Sequence, residues 1–95
     1  MLLSPSVIAR EHKKAVAEMA ELVRAATDQG LQFPEGSDYA LYLRLEIIKN
    51  VLEWVSMSLV GTDPNGRSAI EHMMGDCHYY GLDGPVNTEM VKRRM

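Results

Sequence analysis

Residues 38–60, DYALYLRLEIIKNVLEWVSMSLV, decide the fold of this chain. Their apolar side chains recur at intervals of 4, 3, 4, 3 and 4, which predicts one continuous amphipathic helix. Ser37 or Asp38 should cap its start, and Gly61 should end it. The seam, meaning the apolar stripe that faces a neighbouring helix, comprises Leu41, Leu45, Ile48, Leu52, Val55 and Leu59.

The same helix is apolar well beyond this seam. At about 100° per residue, Leu43, Ile47, Val51 and Trp54 fall on an adjoining face. One facing helix cannot cover so wide an apolar arc, so either the rest of the chain or a second copy must do so. The predicted solvent side consists of Glu46, Lys49, Asn50, Glu53 and Ser56.

Arg44 projects between the seam and the adjoining apolar face. Its head group could snorkel to water or to a carboxylate, or it could grip an anion or an acidic residue at an interface. Both interpretations stay open. The predicted interface between copies comprises Leu43, Arg44, Ile47, Val51 and Trp54.

A second long helix is predicted over about residues 6–29, with Ser4 or Ser6 as its cap and Gly30 as its stop. Its seam contains Ile8, Ala15, Met19, Leu22 and Ala26, with His12 in the same register. A histidine on such a stripe is typical of a satisfied core or interface group. The short connection over residues 30–37 predicts an antiparallel αα-hairpin, with Phe33 folded back over its end.

A shorter third helix is predicted over about residues 68–80. Ser68 and Glu71 match the S-x-x-E capping box that marks a helix start. The sequence GLDGP at residues 81–85 ends this helix, and a last helical turn could follow over residues 87–94. The predicted fold is therefore a single all-α domain spanning residues 1–95.

The third helix carries the chain's densest group of chemically active side chains, AIEHMMGDCHYYG at residues 69–81. Its apolar face, Ile70, Met73, Met74 and Cys77, should pack on the hairpin, which makes Cys77 a small buried hydrophobe. His72 and Asp76 are i,i+4 neighbours that could supply two ligands to a metal, but the sequence offers no evident third ligand. They are weak candidates, and no metal or cofactor is predicted.

Composition restricts the functions further. One cysteine among 95 residues cannot form an internal disulfide, which favours a cytoplasmic protein. The net charge of −3 argues against nucleic-acid binding, although residues 92–94 are basic. No apolar run approaches the roughly 18 residues of a membrane span. Seven methionines and 46% hydrophobic residues are a generous apolar load for a lone helical hairpin, and methionine suits both core filling and the adaptable interface of a homodimer or larger oligomer.

These features predict a small protein–protein interaction module of the inhibitor, immunity, adaptor or mobile-element accessory type. It would bind itself and another protein. The alternative is an oligomeric binder of a small anionic or aromatic ligand, held between subunits by His12, Tyr39, Tyr42 and Arg44. An enzyme would have to rely on His72 and Asp76 with Tyr79 or Tyr80, and no enzymatic activity is predicted.

Overall fold

The computed structural model describes residues 4–82, which form three α-helices and contain no strand. They are α1 (Pro5–Asp28), α2 (Gly36–Leu59) and α3 (Gly66–Tyr79). Each helix packs against the other two, and α1 and α2 share the most extensive contacts. The all-helical prediction is confirmed, and every predicted helix end lies within two residues of the observed one. The possible helix at residues 87–94 lies outside the described residues.

The start and end of α1 follow the sequence signals. The Oγ of Ser4 accepts a hydrogen bond from the backbone N–H of Val7 at 3.3 Å. Ser4 therefore caps the helix. At the other end Gly30 has a φ of 81°. This conformation costs glycine little. The N–H of Leu31 then donates to the carbonyl oxygen of Ala26 at 2.9 Å, which closes the last turn.

The start of α3 differs from its prediction. The Oδ1 of Asp63 accepts a hydrogen bond from the N–H of Asn65 at 2.8 Å, and this turn runs directly into a helix that begins at Gly66. Ser68 therefore lies within the first helical turn, where it cannot act as the N-cap. The predicted capping box of Ser68 and Glu71 is wrong.

We expect Ser4→Ala to lower the free energy of unfolding by about 1 kcal/mol, because the Val7 N–H loses its acceptor. The matched control is Ser68→Ala, which removes a hydroxyl from an exposed position that does not cap a helix. It should change stability by less than about 0.5 kcal/mol. Urea unfolding of both variants measures the difference, and equal losses would contradict the assignment of Ser4 as the cap.

The connection between α1 and α2 also departs from expectation. Phe33 is 55% exposed, so it does not fold back over the end of the helix pair, whereas the neighbouring Pro34 is buried. Helix α2 begins at Gly36 after Glu35, and neither predicted cap, Ser37 or Asp38, precedes it. The buried side chain of this connection is therefore Pro34 and not Phe33.

Helix α2 is rotated relative to its prediction. The residues predicted to face solvent are largely buried, namely Glu46, Lys49, Glu53 and Ser56. Of the predicted seam only Leu45 is buried, while Leu41 and Ile48 are exposed. The assignment of the polar stripe to solvent is wrong. Lys49 and Glu53 pair with each other inside the bundle, and Glu53 also meets His12 of α1.

One apolar cluster of the core lies between α1 and α2. Ala15 and Met19 of α1 pack with Leu45 of α2, and three partly buried side chains surround them: Leu22, Tyr42 and Leu82. Within residues 4–82, no helix combines the length and the apolarity needed to cross a membrane. The rest of the described interior, between the middle of α1, the second half of α2 and α3, mixes buried apolar side chains such as Val16 and Met73 with polar ones.

Candidate functional site

A group of buried polar side chains joins all three helices. His12 extends from α1, Lys49 and Glu53 from α2, and Cys77 from α3; we call these four residues the polar cluster. His12, Glu53 and Cys77 are fully buried, and Lys49 is 6% exposed. Lys49 and Glu53 are i,i+4 neighbours and therefore share one face of α2. The cluster is thus assembled by packing of the three helices.

Glu53 is the centre of this cluster. The Nε2 of His12 lies 2.7 Å from Oε2 of Glu53, and the ammonium group of Lys49 donates to the same oxygen at 2.8 Å. An ionised carboxylate only accepts hydrogen bonds, so Nε2 of His12 carries the proton and donates it. The Sγ of Cys77 lies 3.8 Å from that nitrogen and 4.0 Å from the Glu53 oxygen. Burial of the lysine and the glutamate is tolerated because they pair.

Two further buried polar atoms belong to His12 of the polar cluster and to Ser56, which lies one turn beyond Glu53 on α2. Neither Nδ1 of His12 nor Oγ of Ser56 has a hydrogen-bond partner among residues 4–82. A buried polar atom without a partner costs roughly 1–3 kcal/mol, so the interior is more polar than close packing alone would select. Nδ1 of His12 is therefore available to carry the ring proton if Nε2 binds a ligand.

The cluster has the wrong geometry for nucleophilic catalysis. A Cys–His–carboxylate relay uses the two ring nitrogens separately, one toward the nucleophile and the other toward the orienting acid. Here Cys77 and Glu53 both approach Nε2 of His12. No substrate could reach these fully buried groups without opening the helices. The same three residues do place one potential metal-ligand atom each within 4.8 Å of one another.

The second candidate site is an exposed apolar surface on α2. We define the outer face of α2 as its exposed large apolar side chains, with Ile47 at 63% and Trp54 at 47% exposure near the middle. Its members are Tyr39, Leu41, Leu43, Ile47, Ile48, Val51, Trp54 and Met57. Soluble monomers rarely expose so many large apolar side chains on one element. This face is therefore a candidate contact surface.

All five residues of the predicted interface are exposed on α2. Leu43, Ile47, Val51 and Trp54 belong to the outer face, and Arg44 lies beside them. Their exposure is what a contact between copies requires, while the interface itself stays a prediction. It becomes part of the proposed function below.

The predicted third-helix site lies apart from the polar cluster. His72 is exposed and Asp76 is half-buried, whereas Cys77 of the same helix is buried, as predicted. Within residues 4–82, the only group of three or more side chains with metal-binding spacing is His12, Glu53 and Cys77. His72 and Asp76 therefore stay the weak metal-ligand candidates that the sequence offers, and nothing in the described residues tests them.

The residues of the alternative small-ligand site are spread over different environments. Tyr39 and Arg44 are exposed, Tyr42 is half-buried against the apolar core, and His12 is fully buried. His12 contacts Glu53, which lies three helical turns beyond Tyr42 on α2. Three turns separate two side chains by roughly 16 Å along a helix axis. A single chain therefore does not bring these four side chains into one pocket.

Lys49 and Glu53 are functional candidates that are not predicted from the sequence. The available signal was the 3, 4, 3 spacing of Glu46, Lys49, Glu53 and Ser56, which is itself a helical stripe. A histidine on the apolar stripe of a facing helix requires a partner, and this polar stripe could supply one. Together the two observations would have predicted a polar interior.

The described residues thus contain two candidate functional sites, the buried polar cluster and the outer face of α2. One is inaccessible and holds ligand atoms; the other is accessible and holds apolar side chains. No family model, curated protein or solved structure matches the chain.

Proposed function

We propose that this protein is a non-enzymatic helical interaction module that dimerises through the outer face of α2 and acts by binding another protein. The observation that carries the proposal is the placement of residues on α2. Its charged residues Glu46, Lys49 and Glu53 are buried, while large apolar residues such as Ile47 and Trp54 face outward. Such an arrangement is favourable in water only if something covers the outward side.

Within each copy, α1 and α2 are proposed to form the antiparallel hairpin that the sequence predicts. Two contacts support this direction. His12, early in α1, meets Glu53, late in α2, and Met19, later in α1, packs with Leu45, earlier in α2. Helices that run in opposite directions give this order of contacts.

The outer face has about the size that a dimer needs. Its eight large apolar side chains are each about half exposed. They present on the order of 600 Å² per copy, given the roughly 150–250 Å² that one aromatic side chain can bury. Stable interfaces cover roughly 800 Å² per partner. A second copy fits this surface because a two-fold axis presents the same apolar face to itself.

The spacing along α2 suggests a particular register for this dimer. Ala40, Arg44, Ile47, Val51, Trp54 and Ser58 follow one another at intervals of 4, 3, 4, 3 and 4, the pattern of a helix–helix seam. A two-fold axis midway between Ile47 and Val51 places Ile47 against the partner's Val51. The small residues Ala40 and Ser58 then face each other at both ends of the seam.

The same register gives Arg44 a specific partner. It places the guanidinium group of Arg44 over the partner's Trp54, and the symmetry repeats this contact. An arginine over an indole ring gains roughly 0.5–2 kcal/mol by cation–π attraction, with the larger value when water is excluded. Arg44 would thus be accommodated within an apolar interface without a carboxylate.

We expect the wild-type protein to be a dimer at micromolar concentration, and Ile47→Glu and Val51→Lys each to be monomeric, because either change buries an unpaired charge. An equimolar mixture of the two variants should recover a dimer, since Glu at 47 then faces Lys at 51. Light scattering coupled to size-exclusion chromatography measures the mass. Glu18→Lys, an exposed change on α1, is the matched control and should stay dimeric.

A monomeric wild-type protein would overturn the proposed dimer. Another part of the chain would then have to cover the outer face of α2. If each variant and their mixture are all monomeric, the result supports a dimer through this face but contradicts the pairing of Ile47 with the partner's Val51. Circular dichroism of each variant separates loss of assembly from loss of folding.

The wider proposal, that the dimer binds another protein, rests on the contrast between an accessible apolar face and an inaccessible polar cluster. Proteins that co-purify with the wild type should also co-purify with His72→Ala, which changes an exposed residue of α3. They should be lost with Val51→Lys. Equal recovery with both variants would contradict a role for the dimer in partner binding.

A further inference from the structure

We propose that the polar cluster is a zinc site in which Nε2 of His12, a carboxylate oxygen of Glu53 and Sγ of Cys77 bind one Zn²⁺. This inference does not rest on the proposed dimer. The three ligand atoms come from three helices, lie within 4.8 Å of one another and belong to fully buried side chains. Imidazole nitrogen, thiolate and carboxylate are the three ligand types that zinc accepts in proteins.

The observed separations are close to those of a zinc-bound set. Tetrahedral zinc, with bonds of about 2.0–2.3 Å, separates nitrogen from oxygen by about 3.3 Å and sulfur from either by about 3.5 Å. The corresponding distances here are 2.7 Å between His12 and Glu53, 3.8 Å between Cys77 and His12, and 4.0 Å between Cys77 and Glu53. Shifts of about 0.3–0.6 Å, within the range of side-chain adjustment, would bring the three atoms to the separations of a zinc-bound set.

The protons of the cluster have suitable places to go. Zinc binding requires the thiolate of Cys77, whose proton is released, and the unprotonated Nε2 of His12. The proton on that nitrogen can move to Nδ1, which has no hydrogen-bond partner among residues 4–82. The ammonium group of Lys49 already holds the Glu53 carboxylate at 2.8 Å. Outer contacts of this kind orient metal ligands.

The burial of the site determines how it is loaded. Fully buried ligands are not accessible from the surface, so metal binding and folding should be coupled. Tetrahedral zinc needs a fourth ligand, which the second oxygen of Glu53 or a water molecule can supply. The metal should therefore enter during folding, and refolding in its presence is the appropriate way to load it.

The test uses the full chain refolded with Co²⁺, which takes the place of Zn²⁺ and reports thiolate ligation by its absorption. We expect one Co²⁺ per chain, a sulfur-to-cobalt charge-transfer band, visible bands of tetrahedral intensity, and loss of all of these when Zn²⁺ is added. Cys77→Ser should abolish the charge-transfer band. His72→Ala and Asp76→Asn should leave the spectrum unchanged.

A second measurement keeps the test decisive if Cys77→Ser folds poorly. Zinc should raise the thermal midpoint of the wild type measurably above that in chelator, and it should not do so for Cys77→Ala. A wild-type protein that retains no metal after refolding and shows no thiolate band would overturn the site. A band that survives Cys77→Ser, or disappears with His72→Ala, would also overturn it.

Discussion

Replacing Glu53 by glutamine should lower the free energy of unfolding by about 3–5 kcal/mol, the cost of breaking a buried ion pair on one side. Glutamine has nearly the same shape, so the loss is electrostatic. The ammonium group of Lys49, 2.8 Å from the carboxylate, would stay buried opposite a neutral amide, and His12 would lose its charged acceptor. A domain of this size has roughly 5–15 kcal/mol of stability in total, so the variant should be close to unfolding.

Urea unfolding followed by circular dichroism measures this effect, in chelator and at one protomer concentration, because bound metal or dimerisation would shift the midpoint. The matched control is Glu18→Gln, an exposed glutamate of α1. It should change stability by less than about 0.5 kcal/mol. The double change Lys49→Met with Glu53→Leu should be less destabilising than Glu53→Gln, since it removes both charges. An equal effect of Glu53→Gln and Glu18→Gln would contradict the polar cluster as described.

Gly66→Ala should lower the free energy of unfolding by about 1–3 kcal/mol, the usual cost of overpacking. Gly66 is buried at the start of α3, and a Cβ there would lie 2.8 Å from the carbonyl oxygen of Leu59 and 3.0 Å from the Cα of Val60. These are backbone atoms, so no side-chain rotation relieves the overlap. The first turn of α3 would have to move away from the end of α2.

The same helix offers a control of opposite sign. Gly75 is exposed in the middle of α3, and a Cβ there meets nothing within 4 Å. Gly75→Ala should therefore raise stability by about 0.5–1 kcal/mol through helix propensity and a less flexible unfolded chain. Denaturation of both variants under one condition measures the pair. Two changes of the same sign would contradict the close approach of α3 to α2 at Gly66.

The positions of the helices could be predicted because their signals are local. The 3–4 spacing of apolar residues, the capping serine at Ser4 and the glycine stop at Gly30 all act within one or two turns of the backbone. The failures at helix starts were local too. A turn that starts at Asp63 leads directly into α3 at Gly66, so Ser68 lies inside the helix and cannot cap it.

The orientation of α2 could not be predicted by the same means. Its apolar residues occupy more than half of its circumference, so several rotations bury a similar apolar area. The observed rotation brings Glu53, with Lys49 paired to it, to His12 and Cys77 of the other helices. Such pairings depend on contacts between residues far apart in sequence, which a periodicity pattern does not contain.

The two candidate sites differ in the same way in how far the sequence predicts them. The exposure of Ile47, Val51 and Trp54 could be anticipated, because excess apolar surface is a property of one helix. The polar stripe of α2 indicated a polar interior, but the cluster itself could not be anticipated, because its members lie on three helices and only Lys49 and Glu53 are neighbours on one of them. Cys77 was correctly predicted to be buried, but its nearness to His12 was not evident from either local sequence.

The polar cluster has a consequence for how the chain reaches its native state. His12 is 41 residues from Glu53 and 65 residues from Cys77 in the sequence. Both contacts therefore form late compared with the helical turns. Before α3 docks, Glu53 can already meet Lys49 and His12, but its side toward Cys77 stays open to water. Docking of α3 brings Cys77 to this carboxylate and completes the interior. The chain should therefore fold in one cooperative step, and hydrogen exchange should protect all three helices to a similar extent.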